Sequence, residues 1–90
     1  MTTRRAKIEI IFDILKAMQD KGGMIKPTHL LYKSNLSHQK MTLYVNDLIT
    51  KGFIKVGLIK DNKMFSITQR GIDYLQEYKK IKEFIDSFGL

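Results

Sequence analysis

Between residues 37 and 46 the chain places Ser37, His38, Gln39, Lys40, Thr42, Leu43 and Asn46 around the apolar residues Met41, Tyr44, Val45, Leu48 and Ile49, which recur as one face of a helix. Amide, hydroxyl and ammonium side chains of this kind hydrogen-bond base edges or grip phosphate oxygens. Polar residues line the outer face of any soluble helix, so that face alone decides little. The first turn adds a directional signal. It carries His38 and Lys40 where the helix dipole favours Asp or Glu, and Lys40 stands where a capping box would put Glu. A nearby anion accounts for that choice.

Other chemistry finds no support. Glu9 and Asp13 lie one helical turn apart on an apolar segment without a companion nucleophile, and His29 and His38 have no cysteine or carboxylate at ligand spacing. The chain has no cysteine, which removes thiol catalysis, thiolate metal sites and disulfides and fits a reducing cytosol. Lys21-Gly22-Gly23 lacks the rest of a phosphate-binding loop and reads as a helix stop. The expectation is a non-enzyme with no cofactor and no metal.

The elements that must hold the polar face follow from periodicity. Ile8, Ile11, Phe12, Leu15 and Met18 give a first helix over residues 4–20, with Ile10, Ile14 and Ala17 as a flanking stripe. A short second helix starts near Pro27, with Thr28 as its cap and Leu30 and Leu31 facing inward, and ends near Ser34-Asn35. Leu36 plugs the core from the turn, Ser37 caps the third helix, and Lys51-Gly52 closes it. Two helices joined by a short polar turn have the grammar of a helix-turn-helix, whose second helix enters a DNA groove.

Beyond Gly52 the period becomes two. Ile54, Val56 and Leu58 alternate with polar or small residues, Lys60-Asp61-Asn62-Lys63 turns the chain, and Phe65 and Ile67 continue, which predicts a β-hairpin with Lys60 and Lys63 at a basic tip. Lysines there reach phosphates or a minor groove, although they also keep an exposed hairpin soluble. Arg4, Arg5 and Lys7 form a candidate basic arm. Thr68 caps a last helix that ends near Gly89.

On that helix Tyr74, Tyr78, Ile81, Ile85 and Phe88 follow the four-three spacing of a heptad seam. About twenty helical residues run about 30 Å, against a radius of gyration near 13 Å for a domain of this size, so the far half should leave the core and pair with a second copy. The competing arrangement folds the seam back on Ile10 and Ile14.

The 90 residues carry a net charge of +7, and the basic excess belongs to residues 1–70, which balance at +8, whereas residues 71–90 balance at −1. A basic surface attracts phosphate backbones or anionic lipid. Residues 1–5 are followed by Glu9 and Asp13, so neither a signal peptide nor a membrane span is predicted there. The last helix mixes Lys79, Lys80 and Lys82 with Glu77, Glu83 and Asp86, unlike a membrane-surface helix.

The Y-K-S-N-L-S block from Tyr32, then Tyr44-Val45 and Leu48, the K-G-F-I from Lys51 and the F-S-I-T-Q-R-G from Phe65 together resemble a small archaeal winged-helix family of predicted transcriptional regulators with an ArnR-like domain. The likeness covers roughly residues 5–80. It departs at His38, where an aromatic residue is expected, and at Arg70, where lysine is usual. It implies a mainly α fold with a small β-hairpin, a winged helix-turn-helix of three helices, hairpin wing and long C-terminal helix, and it implies binding to double-stranded DNA. The resulting expectation is a DNA-binding core over residues 1–70 and a dimerisation helix over 69–90 of one domain. The protein is then a homodimeric transcription regulator, cytoplasmic and nucleoid-associated; a chromatin-type DNA binder of low sequence preference and a protein-interaction module are the competing readings.

Overall fold

The computed structural model describes residues 6–89, in the order α1 (Lys7–Asp20), β1 (Met24–Ile25), α2 (Pro27–Ser34), α3 (His38–Thr50), β2 (Ile54–Ile59), β3 (Asn62–Ile67) and α4 (Gln69–Asp86). Helix α1 is the hub and packs on α2, α4, β1 and β3. Being covered on several sides, it buries Ile10, Ile14, Leu15, Ala17 and Met18. The stripe expected to flank is therefore the deep one. Ile8 is exposed, and Ile11 and Phe12 are only partly covered, because the start of α1 runs past the edge of the core. Arg4 and Arg5 lie outside the described residues.

Helix α2 starts at Pro27, with Lys26 rather than Thr28 in the cap position; proline at N1 has the right φ and no N–H to satisfy, so no side-chain cap forms. Asn35 ends it in the left-handed region at φ 55°. The Ser37 hydroxyl then accepts from the Lys40 amide at 3.2 Å and fixes the start of α3, so the histidine at 38 does not disturb the helix entry. Leu30, Met41, Val45 and Leu48 are buried, with Leu31, Leu36, Tyr44 and Ile49 packed at the margin.

The sheet has three antiparallel strands in the order β1-β3-β2. β1 was not legible in the sequence: it is two residues long, pairing Met24 with Ser66 and Ile25 with Phe65. The β2-β3 ladder pairs Ile54 with Ile67, Val56 with Phe65, Leu58 with Lys63 and Ile59 with Asn62. This register shortens the expected turn to Lys60-Asp61, both with positive φ (51° and 64°), as a two-residue type I′ hairpin requires. Lys63 is accordingly a strand residue, and only Lys60 of the two lysines occupies the tip. Ile54 and Phe65 are buried, but Val56 and Leu58 are exposed, because the hairpin overhangs the core.

One junction ties the end of α3, both wing strands and the start of α4. Gly52 turns the chain at φ 84°, and the Phe53 amide donates back to the Leu48 carbonyl at 2.8 Å. The Thr68 hydroxyl donates to the Gly52 carbonyl at 2.6 Å and accepts from the Gly71 amide at 3.2 Å. A Cβ on Gly71 would stand 2.6 Å from Ile67 Cγ1 and 2.7 Å from the Phe53 carbonyl oxygen, so the helix can approach the strand only with glycine there. Further along, Leu75 is buried, Tyr78 stacks on Phe12 at 4.3 Å between ring centroids, and the Tyr74 hydroxyl donates to the Ile8 carbonyl at 2.9 Å. The first half of the expected seam thus packs on α1 within the protomer, through Ile8 and Phe12 where the sequence pointed to Ile10 and Ile14.

Gly71→Ala is expected to cost about 1–3 kcal/mol through overpacking, read as a lower denaturation midpoint; an unchanged midpoint would contradict the close approach. Tyr74 gives a second test. Burial, and then the neighbouring Tyr78, raise its phenol above the usual 10.0. A raised folded pKa stabilises the fold fully below the unfolded value, and that contribution disappears as pH rises through the folded value. Wild type should therefore lose more stability than Tyr74→Phe above pH 10.0, while at neutral pH the variant should be weaker by about 0.5–1.5 kcal/mol for its lost hydrogen bond. Urea titrations across pH measure both.

Candidate nucleic-acid interface

The burial of Met41, Val45 and Leu48 turns the opposite side of α3 outward. Gln39, Leu43 and Asn46 occupy its crest, and Thr50, which the sequence reading omitted, continues it at the same four-three-four spacing. All four are exposed, Leu43 at 66% of its surface. His38 and Thr42 stand on the flank nearest the wing and Lys40 on the other flank. The Ser37 side chain is engaged as the cap. The Thr42 and Thr50 hydroxyls donate to the carbonyls of His38 and Asn46 at 2.8 and 3.0 Å, which leaves the Gln39 and Asn46 amides as the crest's free side-chain donors.

Helix and wing meet at a cleft of about 220 Å³ lined by Pro27, His38, Met41, Thr42, Val45, Asn46, Lys63 and Phe65. Alternation along β3 puts Lys63 on the same face as Phe65, and its ammonium lies 5.4 Å from the Phe65 ring centroid. The shorter turn therefore brings Lys63 to α3 instead of the tip. Lys60 stands alone at the tip, and exposed Leu58, paired across from Lys63, adds an apolar residue to the same face. Strand alternation carries this signal once the turn is two residues long.

The charges are unevenly committed. Lys51 pairs with Asp47 at 3.1 Å, Lys16 with Asp20 at 2.6 Å and Lys80 with Glu77 at 3.3 Å, all between exposed groups. Among the described residues, Lys40, Lys60 and Lys63 form no ion pair, and the first turn of α3 has no acidic residue. Uncompensated cations at a helix N-terminus and on the adjoining wing make this side of the molecule attractive to anions. Arg70, by contrast, stacks on Phe53 at 4.9 Å and serves the junction.

At the far end, Tyr74 and Tyr78 are half-buried against α1, whereas Ile81, Ile85 and Phe88 of the same seam are exposed, together with Phe84. Ile8, Glu9, Tyr78, Ile81, Lys82, Ile85 and Asp86 line a groove of about 340 Å³ between the start of α1 and the end of α4. Tyr32, on the outer face of α2 and 90% exposed, belongs to neither surface. Among the described residues no group of His, Asp and Glu could hold a metal ion, and no helix is long and apolar enough to cross a membrane.

Known proteins share this arrangement. The DNA-binding protein Sso10a-2 of Sulfolobus solfataricus superimposes with a TM-score of 0.75 at 25% identity, over 94% of this chain and 90% of that one. F93, a winged-helix DNA-binding protein from STIV, has the same fold, with a TM-score of 0.73 at 17% identity over 91% of this chain and 95% of that one. Two uncharacterised proteins of Methanocaldococcus jannaschii are 31% and 30% identical over 84 residues, 93% of this chain in each case; this stretch is 80% of the first and 37% of the second. The resemblance noted in the sequence thus extends to archaeal relatives and to winged-helix structures. The sequence profile of the winged helix-turn-helix family matches residues 4–86, and the chain belongs to that family.

Proposed function

We propose that the protein is a homodimeric DNA-binding transcription regulator, with α3 in the major groove, Lys60 and Lys63 on the flanking backbone, and the two α4 helices joining the protomers. The observation that carries the reading is the shared cleft: Lys63 of the wing faces His38, Thr42 and Asn46 of α3, beside a helix start without acidic residues. Phosphate grips from the wing and base contacts from the helix are thereby available to one duplex. Family membership and the DNA-binding proteins of the same fold support it.

Dimerisation by α4 rests on Ile81, Phe84, Ile85 and Phe88 in water. Completing their burial is worth on the order of 1 kcal/mol each, about half the ~1.5–3 kcal/mol of a fully buried large side chain. A second copy is the occupant favoured here, since the seam is flanked by both charge signs, Glu77 with Lys80 and Lys82, so that two copies need not repel each other.

DNA affinity should fall linearly with the logarithm of salt, by about 0.9 log unit per neutralised phosphate. Binding absent at low salt, or indifferent to salt, would favour a protein-interaction module. Replacing both Ile81 and Ile85 by Asp should give a folded monomer by sedimentation and circular dichroism, because unpaired carboxylates would then be buried only between protomers. Its DNA affinity should drop as the linkage of two reading heads is lost. An unchanged dimer would exclude this face.

A further inference from the structure

The geometry points to the class of sequence that α3 reads: major-groove sites rich in A·T pairs, with Leu43 sensing the C5 methyl of thymine. This inference rests on the DNA-binding reading above and names the bases for it. The crest that faces outward is Gln39, Leu43, Asn46 and Thr50, within about 60° of arc on the helix. From Gln39 to Asn46 the helix rises about 10 Å, which spans roughly three base-pair steps of 3.4 Å.

The crest chemistry is selective. A bidentate arginine or lysine is the common reader of guanine, but α3 holds no arginine, and Lys40 lies about 100° around the helix from Gln39. Asp47 lies about 80° around the helix from Gln39, off the crest, and pairs with Lys51. Both crest-side threonine hydroxyls have given their protons to backbone carbonyls. What remains toward the groove is two carboxamides, whose donor-acceptor pair matches N6 and N7 of adenine, and one aliphatic side chain between them. Leu43 is exposed over 66% of its surface at the centre of this set. Among the groups that base pairs present in the major groove, the thymine methyl is the apolar one. Two amides and a leucine are thus complementary to adjoining adenines and thymines.

The test uses the full chain and the duplexes it enriches from a random pool at near-physiological salt, then the same duplexes with every thymidine replaced by deoxyuridine. Pairing is kept and only the C5 methyl is lost. Wild type should bind the deoxyuridine form about fourfold more weakly per contacted methyl, the equilibrium equivalent of one CH₂ group left unburied. Leu43→Ala, whose fold is checked by circular dichroism, should bind both forms alike and at the weaker level. Equal wild-type affinity for the two forms overturns the inference, as does enrichment of G·C-rich fragments. A preference for thymidine that survives in Leu43→Ala also overturns it, since the methyl would then act through DNA shape. Failure to bind any duplex at low salt refutes the DNA-binding reading itself, a result distinct from binding without methyl discrimination.

Discussion

The close approach of Gly71 to the Phe53 carbonyl governs the layout of the whole molecule. It lies where the chain leaves α3, enters the wing, returns from it and starts α4, so one contact bears on the angles among α3, the wing and α4. Hydrogen bonds from Thr68 to Gly52 and from Gly71 to Thr68 lock the same point. One side-chain hydroxyl, that of Thr68, thereby serves a carbonyl just past the end of α3 and an amide at the start of α4, groups that helix termini otherwise leave without an intrahelical partner. Rigidity there would matter for the proposed role of α3, because a surface that reads a groove must be held to fractions of an ångström, and rigid elements achieve that better than loops.

From that junction the molecule divides its labour by surface. Helix α1 supplies the largest share of the apolar core, with Ile14, Leu15 and Met18 fully buried, while α3 spends only one face on packing. Cations on α3 and the wing stay uncommitted to carboxylates, while those at Lys16, Lys51 and Lys80 are balanced by a neighbour on their own helix. The balanced pairs are exposed and add little stability, so their effect is to lower the local positive charge where they stand.

Much of this was legible in the sequence where a local rule acts alone. Ser37 and Thr68 are the caps expected of them, Gly52 is the stop, and Met41, Val45 and Leu48 are the buried face, because capping and periodicity are decided within a few residues. The misreadings share a different cause: they depend on where the core ends. Ile8 and Leu58 obey the apolar period but overrun the packed region, and Ile10, Ile14 and Ala17 look secondary until α2, α4 and the sheet surround them. Strand β1 is too short to show a period and exists only because β3 offers it an edge. Lys63 was placed at the tip because a Lys-Asp pair lacks the usual Asn-Gly signature of a two-residue turn. The site residues on α3 follow directly from its buried face, whereas the contribution of the wing depends on that one-residue detail of register.

Beyond the Val56–Phe65 rung of the wing, Leu58, Ile59 and Lys60 are all exposed. Two left-handed residues, neither of them glycine, close it at a backbone cost of about 1–2 kcal/mol each. Packing therefore constrains this tip little and backbone conformation constrains it most, so replacing Lys60 or Asp61 by glycine would relax the turn. The outer rungs can thus be altered at little cost to the fold, like the bit of a tool, whereas the segment from Phe65 to Gly71 is held by the core and by the close approach at Gly71.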